Sequence, residues 1–251
     1  MRSIRFAFAA VSLIASSAFA SPSALQNGVD YTTLAVPQPS QVVGKKVEVI
    51  EFIAYHCPAC NAMEPYVDAW VKKQGDKVNF RRMHVAFSGP NDPEAHLFLT
   101  LEAMGKGAEY NSRVFRAFHI ERKRLLTEQA IVEWAVASGL NKTKFLEMWN
   151  SFGVLTKLKR LPSLVSSYRV DATPSFVVDG KYLTSPSTVD AANKNLSRAL
   201  LPDTTLATID ALVAKVQKDK GYGPAAPAVP VKAAPVKAAP VKPAPAKTAS
   251  K

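Results

Sequence analysis

An apolar, β-branched run, Val47-Glu-Val-Ile-Glu-Phe-Ile-Ala54, leads almost directly into Cys57-Pro-Ala-Cys60, and the chain then turns helical. Such a run has the make-up of a strand buried on both faces, as in the centre of a sheet covered by helices. After Cys60, the residues Met63, Val67, Trp70 and Val71 recur at helical spacing until Gly75, and Val78-Asn-Phe-Arg-Arg-Met-His-Val85 reads as a second strand. Strand, helix, strand predicts a parallel crossover.

The rest of the ordered chain follows the same rules. Pro93 fits a helix start, with Leu97, Leu101 and Met104 on one face and Gly105 and Gly107 at its end. Tyr110, Val114, Phe115 and Phe118 form another apolar face. Thr127 and Asn141 are expected N-caps of two further helices, the first ended by Gly139. Leu155 to Tyr168 is helical in composition, with Pro162 expected to kink or break it. Ser175–Val178, Asp179-Gly180 and Lys181–Leu183 predict a hairpin, and Leu206 to Val216 an amphipathic helix ended by Gly221. This order predicts an α/β fold with a helical insertion.

Both ends differ from the body. Residues 1–20 combine Arg2 and Arg5, a short apolar stretch and Ala18-Phe-Ala20, the pattern of a secretory signal peptide cleaved near Ala20. That places the mature chain outside the cytoplasm, where disulfides persist. Residues 224–251 repeat Pro-Val-Lys-Ala-Ala with five lysines and no acid, and predict an extended spacer that solubilises the protein or adheres weakly to anionic envelope surfaces. The formal charge is +12; removing the two leading arginines and five tail lysines leaves +5 on the body. So mild an excess, without a basic stripe, argues against a nucleic-acid partner.

The chain's two cysteines are Cys57 and Cys60, which excludes a disulfide framework and a four-cysteine zinc site. A CxxC alone is compatible with a redox pair, a structural disulfide or half of a metal site. Its position between a strand and a helix favours redox chemistry. Two intervening residues let both sulfurs meet across the first helical turn, and the partial positive charge there favours a thiolate on Cys57. Pro58 suits that turn because it lacks only an N–H that would be unpaired. His56, His84, His96 and His119 are scattered without ligand spacing, so no metal is expected.

Glu51-Phe-Ile-Ala-Tyr-His-Cys-Pro-Ala-Cys60, Met83-His-Val85, Trp149-Asn-Ser-Phe152 and Thr173-Pro-Ser-Phe-Val-Val-Asp-Gly-Lys-Tyr182 together resemble the DsbA family of periplasmic thiol:disulfide oxidoreductases. The resemblance implies a thioredoxin-like domain interrupted by an inserted all-helical domain. The thioredoxin-like residues are then 21–90 and 169–223, with the insertion at about 91–168 between them. It implies that Cys57 attacks and Cys60 resolves, that Pro174 is cis and faces them, and that Thr173 offers backbone hydrogen bonds to an extended substrate. It maps a charged pair onto Glu51 and Arg82. Reduced or unfolded exported proteins are the implied substrates, a quinone-linked, DsbB-like membrane protein the implied reoxidase, and no cofactor is needed beyond the dithiol. A reductase or isomerase, or a holdase chaperone using the apolar surface near Pro174, are the alternative readings.

Two positions depart from the family pattern. Ala59 stands where many members carry His, which removes a donor to the Cys57 thiolate; His56, just before the motif, is a partial substitute. Arg82 stands where Lys is common, which confines that position to an electrostatic role. The expected reduction potential therefore lies between about −270 mV for thioredoxin and about −120 mV for DsbA.

Overall fold

A computed structural model describes residues 25–222. The signal-peptide reading of residues 1–20 and the spacer reading of 224–251 lie outside the described residues. The elements are β1 (Thr32–Thr33), β2 (Val47–Ile53), α1 (Pro58–Gln74), β3 (Val78–His84), α2 (Pro93–Ala103), α3 (Gly107–His119), α4 (Glu128–Ala137), α5 (Lys142–Trp149), α6 (Phe152–Ser167), β4 (Ser175–Val178), β5 (Tyr182–Thr184), α7 (Pro186–Ala192) and α8 (Leu201–Asp219).

The five strands form one sheet in the order β1-β5-β4-β2-β3. The parallel pair is β2 with β3, joined by α1 as the crossover rule requires; β4 lies antiparallel on the other side of β2. Every residue of β2 is buried, so its two faces serve two cores. Val47 and Val49 pack under α1 and α8 with Met63, Val67, Ile209 and Leu212. Ile50 and Phe52 face the other way, against Leu158, Leu161 and Val165 of α6. Each large apolar side chain fully buried there contributes about 1.5–3 kcal/mol.

Helices α2 to α6 lie between β3 and β4 in the chain, as expected of an insertion. Their own core, built on Leu97, Leu101, Val114, Phe115, Ile131 and Phe145, is continuous with Ile53, Tyr55 and Cys60. The inserted helices therefore pack directly against the start of α1.

Local chemistry set most boundaries. The hydroxyl of Thr127 accepts from Ala130 N and the side chain of Asn141 from Lys144 N, capping α4 and α5 as anticipated. Asp179 (φ 53°) and Gly180 (φ 63°) both take left-handed backbone in the β4–β5 turn, the pairing that a tight hairpin needs. A side chain on Gly180 would also strike the Gln38 carbonyl. Two expectations are corrected. Of the kink or break expected at Pro162, the break is absent: α6 runs through it, and burial of Leu158, Leu161 and Val165 outweighs the lost backbone hydrogen bond. Gly107 begins α3 rather than ending α2. Strand β1 and helix α7 were not anticipated; α7 starts at Ser185-Pro186, with the Ser185 hydroxyl accepting from Thr188 N at 3.1 Å.

Candidate active site

The site is assembled where β2 ends and α1 begins. Cys57 is the N-cap of α1, with extended backbone, and its sulfur accepts from Cys60 N at 3.4 Å. Pro58 occupies the first turn, as its missing N–H allows. Both cysteines are free; Cys57 is half-buried and Cys60 is 1% exposed. Pro58 and Ala59 are exposed.

Across from the cap, the Thr173–Pro174 peptide is cis, and the thiol of Cys57 donates to the Thr173 carbonyl at 3.3 Å. On ionisation the sulfur becomes an acceptor only. The thiolate then receives the Cys60 S–H, the Thr173 hydroxyl and the backbone N–H groups of Cys60 and Ala59. These donors, the Cys60 thiol foremost, overcome burial and bring the Cys57 pKa down to about 5. Cys60 moves the opposite way: donating to Cys57 favours its protonated form, and burial adds to the effect. One sulfur is thus an anion at neutral pH and the other a thiol.

Below the cap, Glu51 and Arg82 lie opposite each other in the β2–β3 register, with Nε and Oε2 2.8 Å apart. Arg82 also reaches Glu64 at 3.1 Å and Asp68 at 3.0 Å, both on α1. Glu64 lies four residues beyond Cys60, hence on the same helical face. Burial raises the Glu51 carboxyl to about 7, with Arg82 opposing and Glu64 reinforcing the rise. Burial acts against the charge on Arg82, but Glu51 and Glu64 outweigh it and hold the guanidinium protonated. Among the described residues Glu51 Oε1 has no hydrogen-bond partner.

Three histidines pin the loop between β2 and α1. His84 Nε2 receives the Tyr55 N–H at 3.1 Å, and His119 Nε2 lies 2.8 Å from the Tyr55 carbonyl. His56 bonds to Glu94 of α2 through its backbone N–H and Nδ1, so its hydrogen-bond partner among the described residues is a carboxylate. Burial tends to raise the Glu94 carboxyl, but its contacts with the His84 and His56 imidazoles outweigh it and leave the pKa below the ordinary range. His96 stands apart, stacked on Trp149. Among the described residues no group of three or more His, Cys, Asp or Glu is placed to hold a metal ion.

The structure therefore gathers Cys57, Pro58, Ala59, Cys60, Thr173 and Pro174 at one end of the sheet, with His56 beside them and Glu51–Arg82 in the adjoining interior. Glu64, Asp68, His84 and Glu94 were missed in the sequence. Glu64 had a usable signal in its spacing from Cys60. Glu94 had none, because its partner lies 38 residues away.

Comparison with known proteins gives a consistent set of relatives. A family model described as a DSBA-like thioredoxin domain matches residues 93–197, a span that begins at the first residue of α2 and so excludes the CxxC. The thiol:disulfide interchange protein DsbA of Burkholderia cepacia is 37% identical over 208 residues, spanning 83% of this chain and 93% of that protein. The protein of the same name from Pseudomonas syringae is 35% identical over 212 residues, 84% of this chain and 94% of its own. The crystal structure of Pseudomonas aeruginosa DsbA matches with a TM-score of 0.68 at 31% identity, over 77% of this chain and 95% of that one.

Proposed function

The chain belongs to the DsbA family of thiol:disulfide oxidoreductases, and we propose that it runs the exchange in the oxidising direction, in the periplasm, on exported proteins. The observation that carries this reading is the opposite character of the two sulfurs, with Cys57 ionised from about pH 5 and Cys60 held as a thiol. A stabilised thiolate is a good leaving group, and whatever stabilises the reduced form makes the disulfide a stronger oxidant.

The oxidised enzyme offers a Cys57–Cys60 disulfide. A substrate thiolate attacks Cys57, whose sulfur is the more accessible, and Cys60 departs and takes up a proton. A second substrate thiolate attacks the substrate sulfur of the mixed disulfide and expels Cys57 as the stabilised anion. In the disulfide Cys57 has no S–H, so the Thr173 carbonyl that its thiol bonds in the reduced protein is free to accept from an extended substrate backbone, while Pro174 closes the opposite wall. The Glu51–Arg82 pair sets the field behind Cys60. The dithiol is the redox centre, and a quinone-linked membrane protein returns it to the disulfide. The lysine-bearing residues 224–251 add weak attraction to anionic envelope surfaces.

Oxidation of a peptide bearing two thiols tests the reading. Wild-type protein should convert it to the disulfide stoichiometrically, and Cys57→Ser should abolish conversion. If Cys57→Ser still suppresses aggregation of an unfolded client as wild type does, a holdase role gains; faster reduction of insulin than oxidation of the peptide would favour a reductase.

A further inference from the structure

The loop before Cys57 carries a carboxylate–imidazole pair that the dithiol exchange leaves unused. Glu94 lies in the first turn of α2 and is 5% exposed. Its carboxylate accepts the His56 backbone N–H at 3.0 Å and stands 2.9 and 3.0 Å from His56 Nδ1. An ionised carboxylate only accepts, so Nδ1 carries the proton and Nε2 of the neutral ring keeps its lone pair. The imidazole is half exposed, rests edge-on against Phe87, and belongs to the residue immediately before Cys57. The other titratable groups around this pair are His84 of β3, 3.7 Å from Glu94 Oε2, and Cys57 itself. Among the described residues no Lys or Arg pairs with Glu94, so its charge is directed at imidazoles alone.

The geometry points to His56 as the general base that deprotonates the incoming substrate thiol, with Glu94 as the residue that positions it and fixes its tautomer. Nε2 takes the proton from the substrate S–H, and the freed electron pair forms the new S–S bond to Cys57. The Cys57–Cys60 bond breaks, its pair passing to Cys60, which is protonated from solvent. The substrate sulfur is oxidised, Cys60 is reduced, and His56 returns its proton to water. Because Ala59 leaves the motif without an imidazole, this base stands just outside it. The gain has a ceiling: an ordinary cysteine is about 3% ionised at pH 7, so complete ionisation gives at most about 30-fold.

This inference deepens the oxidase reading and rests on it. The test is the second-order rate at pH 7 with which the oxidised full chain is reduced by two thiols: a cysteine peptide, mostly protonated at that pH, and 4-nitrothiophenol, an acidic aryl thiol almost fully ionised there. His56→Gln should slow the peptide about 5- to 30-fold and leave the aryl thiol within about two-fold of wild type. Glu94→Gln should show the same selectivity with a smaller loss. Equal losses for both thiols would mean that the substitutions merely disturb the loop, and no loss with the peptide would mean that substrate ionises without His56; either overturns the inference. A wild-type enzyme that oxidises neither thiol would overturn the oxidase reading, and this inference with it.

Discussion

Replacing Cys60 with alanine isolates the interaction that does most to ionise Cys57. The Cys60 S–H is the leading stabiliser of that thiolate, ahead of the Thr173 hydroxyl and the backbone N–H groups of Cys60 and Ala59. Alanine removes the S–H and keeps the helix, the N–H at position 60 and the Thr173 wall. A hydrogen bond to a charged group contributes about 1.5–3 kcal/mol. Cys57 is half-buried, so solvent screening cuts this to about 1–1.5 kcal/mol, which corresponds to about one pH unit. The Cys57 midpoint should therefore rise from about 5 to about 6, lowering the ionised fraction at pH 6 from about 90% to about 50%. Thiolate absorbance near 240 nm against pH reads the midpoint directly, and the pH dependence of alkylation by iodoacetamide checks it independently. An unchanged or lower midpoint would refute the role given to the Cys60 thiol. A rise into the ordinary range, about 8.5, would refute the share given to Thr173 and the start of α1.

Thr173→Val removes the hydroxyl but not the carbonyl; the same titration should move up by less than in Cys60→Ala, and the protein should become a weaker oxidant. Glu51→Gln should change how stability depends on pH in the oxidised protein, where Cys57 cannot titrate. The folded protein keeps the Glu51 proton up to about 7, whereas the unfolded chain loses it at about 4.3. Between these values the folded state binds more protons, so this residue makes stability fall as pH rises. Urea unfolding at several pH values should show that fall in wild type and its loss in the variant. Gly180→Ala should destabilise by about 1–3 kcal/mol, from left-handed backbone and collision with Gln38, lowering the urea midpoint without altering the Cys57 titration.

Local signals in the sequence carried much of the fold. The β-branched run of β2, the caps at Thr127 and Asn141, and the Asp179-Gly180 turn are each decided by neighbours along the chain, and each forms where expected. The misreadings are of another kind. Pro162 obeys its local rule in isolation, but burial of the α6 face holds the helix together. The Ser185-Pro186 start of α7 is a local signal, but the 7-residue helix that follows is too short to show a clear periodicity. The same division runs through the site. The cysteine pair, with Pro58 between its members, is written in consecutive residues. The Glu51–Arg82 pairing came through resemblance, whereas its extension to Glu64 and Asp68 depends on how α1 lies over β2 and β3. The Glu94 hold on His56 depends on docking of α2 against the loop, which no periodicity reports.

Oxidising power in this protein requires the reduced pair to be stabilised by ionisation of Cys57, and a redox titration of the purified protein against glutathione, followed by tryptophan fluorescence, measures that stabilisation. The expected potential lies above about −270 mV and below about −120 mV, the values for thioredoxin and DsbA. A value at or below the thioredoxin figure would show that the site favours reduction. A value at or above the DsbA figure would show that Ala59 costs the thiolate nothing. Either result contradicts the expectation.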